Sequence, residues 1–256
     1  DIASTHDGSV WAMSGNNGAF PLLQMRFAAD GQIHDATQLQ LMYLDLTKSY
    51  ALANDIDASD TLYWNGGQGF EPIGSQMVMF DGALEGNGNV ISDLYINRPS
   101  QGYVGLFANL NGDVQNIGIV GTDPSVTYIV AGGTSGVLAG RSQGSITNAY
   151  TTESIIGNGW AIGGLVGQNA GAITDSYAVG NVTGGASVWF VGGLVGYSGM
   201  DINASITNSY AAGNVTTGGR YVGGLVGYAP GPGSINNSYA VGAVSGDIAG
   251  GLAGYS

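Results

Sequence analysis

The sequence predicts an all-β chain wound as a right-handed parallel β-helix, with about 27–32 residues per coil and one short helix near residues 35–47. Three observations carry this. A glycine-leucine phrase returns five times: GVLAG (136–140), GGLVG (163–167, 192–196 and 223–227) and GGLAG (250–254). A second phrase follows each of the first four: ITNAY (146–150), ITDSY (173–177), ITNSY (206–210) and INNSY (235–239). The leucines Leu138, Leu165, Leu194, Leu225 and Leu252 are separated by 27, 29, 31 and 27 residues. At such a period one repeat cannot bury its own apolar face and must stack on its neighbours.

Residues 1–29 read as the end of a preceding unit, with a Gly/Asn turn between two apolar stretches. Residues 30–100 read as lead-in strands plus the helix, capping the solenoid. Asp35-Ala36-Thr37-Gln38 fits an N-cap box, and Leu39, Met42 and Leu46 recur at helical spacing before Thr47-Lys48-Ser49 closes the helix. YALANDID (50–57) alternates as a strand should. FEPIG (70–74), MFDGAL (79–84) and NVISDLYI (89–96) continue as short strands broken by Gly and Asn turns.

Residues 101–256 form the repeat region. GYVGLFANL (102–110) and DVQNIGIVG (113–121) make a first, divergent copy, with Leu106 lying 32 residues before Leu138. Each copy holds three strand-sized pieces: GGLVGY, SITNSYA and an NVTG-like piece (181–184, 214–217, 243–246). That amounts to one coil of a three-sided helix, with the glycine pairs at corners where positive φ and close backbone approach are needed. The interval is too short for propeller blades. The ten-residue strands and aromatic girdles of a membrane barrel are missing.

Composition narrows the function. Hydrophobic residues make up 44% of the chain, enough for a packed core despite 47 glycines. Only 9% of residues are charged, so solubility rests on Asn, Ser, Thr and Gly. The net charge of −13 repels nucleic acid and leaves no basic patch for phosphates. With no cysteine, disulfides, thiolate metal sites and thiol catalysis are impossible. No apolar run approaches the roughly 18 residues of a membrane span, so no membrane insertion is expected. No signal peptide opens the chain, and Asp1 reads as the start of an internal or processed piece of something longer.

The phrase GGLVGY…GSITNSYAAGNVTG resembles the GLUG motif, named for its G-L-hydrophobic-G core. Similar repeats occur in large bacterial surface proteins, including filamentous haemagglutinin-like adhesins and the non-catalytic part of some IgA-cleaving metallopeptidases. IHDATQLQLM…YALANDIDAS…GFEPIG…FDGALEGNGNVISDLYINRP is similar to the lead-in such adhesins place before their repeats. WAMSGNNGAFPLLQ resembles the phrase that ends an array. The resemblance implies a secreted or cell-surface β-helical stalk, exported within a much larger polypeptide, with host or matrix glycans or surface proteins as partners. It implies no ligand, and the GVLAG copy departs from the pattern.

The residues offer little catalytic chemistry. His6 and His34 stand outside any HExxH arrangement, so the peptidase activity of some relatives does not carry over. No histidine lies near a Ser and Asp to serve as base. Arg98, Arg141 and Arg220 are scattered singly, and Asp175 is the only acid between Glu153 and Asp201. No enzyme, catalytic residue or cofactor is expected. The alternative is a carbohydrate-active enzyme on the same scaffold.

Asp55, Asp57 and Asp60 form the densest acidic spot and suit Ca²⁺ by ligand type, though a solvated strand end is the simpler reading. Asn148, Asp175, Asn208 and Asn237 recur once per copy, as a polar ladder at a corner. Tyr150, Tyr177, Tyr210 and Tyr239 recur likewise, either as half-buried packing or as a column of faces for sugar rings. Trp160 and Trp189, in turns of variable length, and Tyr197 and Tyr228 are the candidates for an exposed ligand-binding surface. An ice-binding face is weaker, since Thr183 and Thr216 give way to Ser245. Open coils leave unpaired edges, so end-to-end self-association is expected.

Overall fold

The computed structural model describes residues 31–123, 129–199 and 203–256. The unit expected at 1–29, with His6, lies outside the described residues. Among these residues the chain is a parallel β-solenoid of about six turns with one short α-helix. Its strands lie in one 13-stranded and three six-stranded sheets.

A single coil shows the plan. Ala172–Thr174 and Tyr177–Ala178 belong to the first ladder, Val182–Gly184 to the second, Phe190–Gly192 to the third and Val195–Ser198 to the fourth. The expected three sides are therefore four ladders, because GGLVGY is not one strand. It bends at Gly193-Leu194, where the Leu194 and Val195 N–H groups both donate to the Leu225 carbonyl, at 2.9 and 3.0 Å. The same paired bonds run from Leu165 and Val166 to the Leu194 carbonyl, and from Leu225 and Val226 to that of Leu252. The leucines consequently stand in a vertical file. Leu106, Leu138, Leu165, Leu194 and Leu225 are at most 1% exposed. Beside them, Leu84, Val114, Ile146, Ile173, Ile206 and Ile235 pair in register along the first ladder.

Of the two causes expected for the glycine pair, positive φ and close backbone approach, only the second holds. None of Gly163, Gly164, Gly192, Gly193, Gly223 and Gly224 has positive φ. Space decides instead. A Cβ on Gly192 would overlap the Val195 carbonyl oxygen, and one on Gly193 would overlap the Gly224 carbonyl and lie 2.8 Å from Ala211 Cβ. Gly164 meets Ala178 and Gly224 meets Ala240 in the same way. The second glycine of GGLVG thus faces the alanine of SYA across a thin interior, which ties the two phrases together. Positive φ falls to Asn116, Asn148, Asp175, Asn208 and Asn237, at 48–56°, the short polar side chains that tolerate the left-handed region best.

The lead-in is wound into the same ladder: Gln32–Ile33, Tyr50–Leu52 and Ala83–Glu85 pair in succession up to Asp113–Val120. The main-chain ladder crosses residue 100 without a break. The helix is shorter than expected. It runs Ala36–Leu41, with Asp35 accepting from the Gln38 N–H at 2.8 Å, then tightens to a 3₁₀ turn at Met42–Leu44. Burial of Leu39, Leu41 and Met42 seals this end of the core. YALANDID divides into Tyr50–Leu52 and Ile56–Asp57, and NVISDLYI divides at Asp93, whose φ is 57°. The opposite end is open. In the last coil Ile248, Leu252 and Tyr255 are 40–50% exposed.

Candidate functional site

Trp160 and Trp189 occupy the connectors between the second and third ladders. The Trp160 N–H donates to the Gly133 carbonyl at 2.7 Å, Phe190 N–H to the Trp160 carbonyl, and Tyr221 N–H to that of Trp189. The two tryptophans are therefore one coil apart in the same column, each just before a third-ladder strand. Across the bend, Tyr197, Tyr228 and Tyr255 stand in register on the fourth ladder.

The structure joins all four candidates into one aromatic patch. Trp160 packs edge-on to Phe190 at 4.9 Å and tilted to Tyr197 at 5.0 Å. Phe190 reaches Tyr197, Tyr228 and Tyr221 at 5.3, 4.6 and 5.8 Å. Tyr228 stacks on Tyr255 at 4.9 Å. The Arg220 guanidinium lies 5.7 Å over the Trp189 ring and 5.1 Å over Tyr221, a cation–π arrangement. Phe190 is the buried hub, while Trp160 and Trp189 remain 39% and 49% exposed. Burial, reinforced by Tyr228, raises the Tyr197 hydroxyl above its ordinary range. Sequence reading missed Phe190, Tyr221, Tyr255 and Arg220. A signal was present in Trp189-Phe190 and Arg220-Tyr221, aromatic or cationic pairs placed just before VGGLVGY.

The other candidates serve the fold. Tyr150, Tyr177 and Tyr210 form a half-buried column that ends in the exposed Tyr239, centroids 4.9, 4.8 and 5.2 Å apart and planes within 12°. The rings cover one another's faces, leaving no open row for sugars. Asn148 donates to Asn116 at 2.9 Å and Asn237 to Asn208 at 3.3 Å, two steps of the polar ladder. Asp55 accepts from the Val90 N–H, and Asp57 from the Ser59 N–H, whose hydrogen bonds hold its carboxyl below the ordinary range. Asp60 lies in the following 3₁₀ segment, Ser59–Gly67. Among the described residues no three of His, Cys, Asp and Glu gather as a metal site. Thr183 and Thr216 pair, with Ser245 next in line. Among the described residues no helix is long and apolar enough to cross a membrane.

Known proteins share parts of this architecture. Residues 158–183, 191–216 and 218–245 match the GLUG motif. Halomucin of Haloquadratum walsbyi is 41% identical over 117 residues, 43% of this chain and 1% of that protein. A candidate Gly-rich membrane protein of Evansella cellulosilytica is 40% identical over 109 residues, 41% of this chain and 12% of its own length. The chain thus spans a small fraction of these relatives. Among solved structures, a candidate immunoglobulin A1 protease from Bacteroides ovatus superposes with a TM-score of 0.64 at 26% identity, covering 84% of this chain and 67% of that one. An IgA1 protease gives 0.52 at 17% identity over 88% of this chain and 20% of its own, a likeness of fold alone. Each match of the motif takes in a piece of the aromatic corner or of the ladders that carry it, and the C-terminal part of the chain is a run of GLUG repeats wound as coils of a β-solenoid.

Proposed function

We propose that this chain is a non-catalytic β-helical segment of a secreted or cell-surface protein, giving reach and presenting the aromatic corner to glycans. The observation that carries the contact role is the exposure of Trp160 and Trp189 on a rigid scaffold. A solenoid has no need to leave two indoles half in water, and stacking on the apolar faces of sugars uses such rings. The GLUG repeats and the names of the relatives, a halomucin and a Gly-rich membrane protein, support a surface location. The protease likeness supports the scaffold without supplying catalytic residues. A glycan array probed with the chain and with Trp160→Ala and Trp189→Ala tests the reading. Retention that both substitutions weaken at least tenfold is expected for anchor residues. No retained glycan would leave the spacer role alone.

Studied as an isolated piece, the chain exposes Ile248, Leu252 and Tyr255, which supports a second contact by pairing of strand edges between copies. Light scattering that shows only monomer at high concentration removes this part.

A further inference from the structure

Five successive connectors between the second and third ladders lie on one corner of the rod: residues 99–102, 132–133, 158–160, 185–189 and 218–220. They differ sharply in what they carry. At the first, Arg98, Gln68, Asn97, Pro99, Ser100 and Gln101 line an open pocket of about 530 Å³. The next is only Gly132-Gly133, a step without side chains. Trp160 and Trp189 follow, then Arg220, and a sixth connector, Gly246-Asp247, ends the column. Arg98 ends a second-ladder strand in register with Ala131, Gly157, Gly184 and Thr217. Four steps of about 4.8 Å each set Arg98 and Arg220 about 19 Å apart along the rod, with both indoles between them.

Two of the chain's five basic residues thus bracket Trp160 and Trp189, in a molecule of net charge −13. Both guanidinium groups are held by neutral partners. Arg98 donates to the Phe70 carbonyl at 3.0 Å and the Gln68 side-chain oxygen at 3.4 Å, and Arg220 rests on Trp189 and Tyr221. Glu71 acts on Arg98 electrostatically, and Asp247 follows Arg220 in the column.

We propose that this corner is a track for an acidic glycan whose carboxylates are set apart by neutral sugars, a proposal that rests on the glycan reading above. Guanidinium groups pair with carboxylates in planar, two-pronged fashion. Neutral sugars between them stack on Trp160 and Trp189, and the glycine step lets the strand pass close to the backbone. A dense polyanion does not fit. The overall negative charge repels it, and only two spaced cations meet it.

The test compares hyaluronan oligosaccharides, in which uronate and neutral sugars alternate, with the same oligosaccharides after carboxyl reduction, by calorimetry in 50 mM salt. The acidic form is expected to bind at least about 5-fold more tightly, the advantage shrinking in 500 mM salt as exposed charges are screened. Arg98→Gln and Arg220→Gln should each abolish most of that advantage, weakening the acidic form much more than the neutral one. Trp189→Ala should weaken both forms about tenfold. Unchanged circular dichroism and melting temperature in each variant exclude misfolding. Equal affinity for the two forms overturns the acidic preference and leaves the glycan reading standing. Binding of neither form, with no hit on the array, overturns both.

Discussion

One file of the first ladder passes through two regions of the molecule. Ile56, Ile91 and Ile119 fill it in the early coils, then Thr151, then Ala178, Ala211 and Ala240. The hydrogen-bonded register never breaks, yet the interior thins from isoleucine to alanine. The three phenylalanines that are fully buried, Phe70, Phe80 and Phe107, also belong to the early part, whereas buried leucine and isoleucine run through both regions. The GLUG phrase is therefore the signature of a thin coil. Alanine on one wall admits glycine on the other, and the ladders close until main chain meets main chain. Early coils are held by volume, late coils by proximity.

The largest expected effect tests that proximity. Val137 stands where the later coils have the second glycine, and it is fully buried beside a file that holds Thr151. The coil there is wide enough. At Gly193 it is not, since a Cβ would overlap the Gly224 carbonyl and press on Ala211. Gly193→Val is expected to cost more than about 3 kcal/mol, because a backbone carbonyl cannot rotate away. Urea denaturation with an unchanged midpoint would end the distinction between wide and thin coils.

Next comes volume. Ile119→Ala removes a side chain 1% exposed and should cost about 2–4 kcal/mol through lost transfer energy and the cavity left behind. Ala211→Ile, which places the early residue in the late coil, should cost about 1–3 kcal/mol by overpacking. Were Ala211→Ile to stabilise the chain, the late interior would be loose and the thin-coil account wrong.

These contrasts mark what was legible in the sequence. The stacking of leucines was readable because it needs only a period and one apolar residue, and the Asp35 cap because it is local. The fourth ladder was not. A bend at Gly193-Leu194 leaves no mark in alternation when two N–H groups share one carbonyl and both strands are short. Glycine in this phrase is a spatial residue rather than a conformational one, and the left-handed positions were already present in the sequence as Asn and Asp. The aromatic corner was half legible. Trp160 and Trp189 declared themselves by lying in variable turns, while Phe190 was hidden at the start of a strand, where an aromatic residue signals ordinary core.

Glu153 sits at the junction of the two regions, beside Thr151, with both carboxylate oxygens buried and short of a well-formed hydrogen bond. Burial pushes its pKa well above the ordinary value, the nearby Leu94 N–H opposes this, and Asp93 adds to it. The folded chain therefore holds this proton more tightly than the unfolded one. Stability is full below the ordinary carboxylate range and is lost as pH rises through it, until the folded group ionises as well. Every tenfold by which folding tightens the hold on the proton corresponds to about 1.4 kcal/mol. Glu153→Gln should raise the melting temperature at pH 8 and change it little at pH 4. A difference between the two proteins that stays constant over this range would show that the carboxyl finds a partner.

The smallest effect separates the two regions at their polar ladder. Asn116 and Asn208 both have left-handed φ, at 56 and 51°. Replacement of either by alanine should cost about 1 kcal/mol or more, because alanine keeps the Cβ strain of that conformation and loses the polar side chain that offsets it, whereas glycine removes the strain and exposes the value of the side chain. Asn116 donates to both oxygens of Glu85, at 3.1 and 3.2 Å, and accepts from Asn148. Asn208 accepts one long bond from Asn237. Hydrogen bonds to a charged acceptor are stronger than those between neutral groups, so Asn116→Gly should destabilise by about 1 kcal/mol and Asn208→Gly by a few tenths at most. Equal losses in denaturation midpoint would mean that conformation alone sets the ladder in both regions, and that the early coils gain nothing from anchoring it to Glu85.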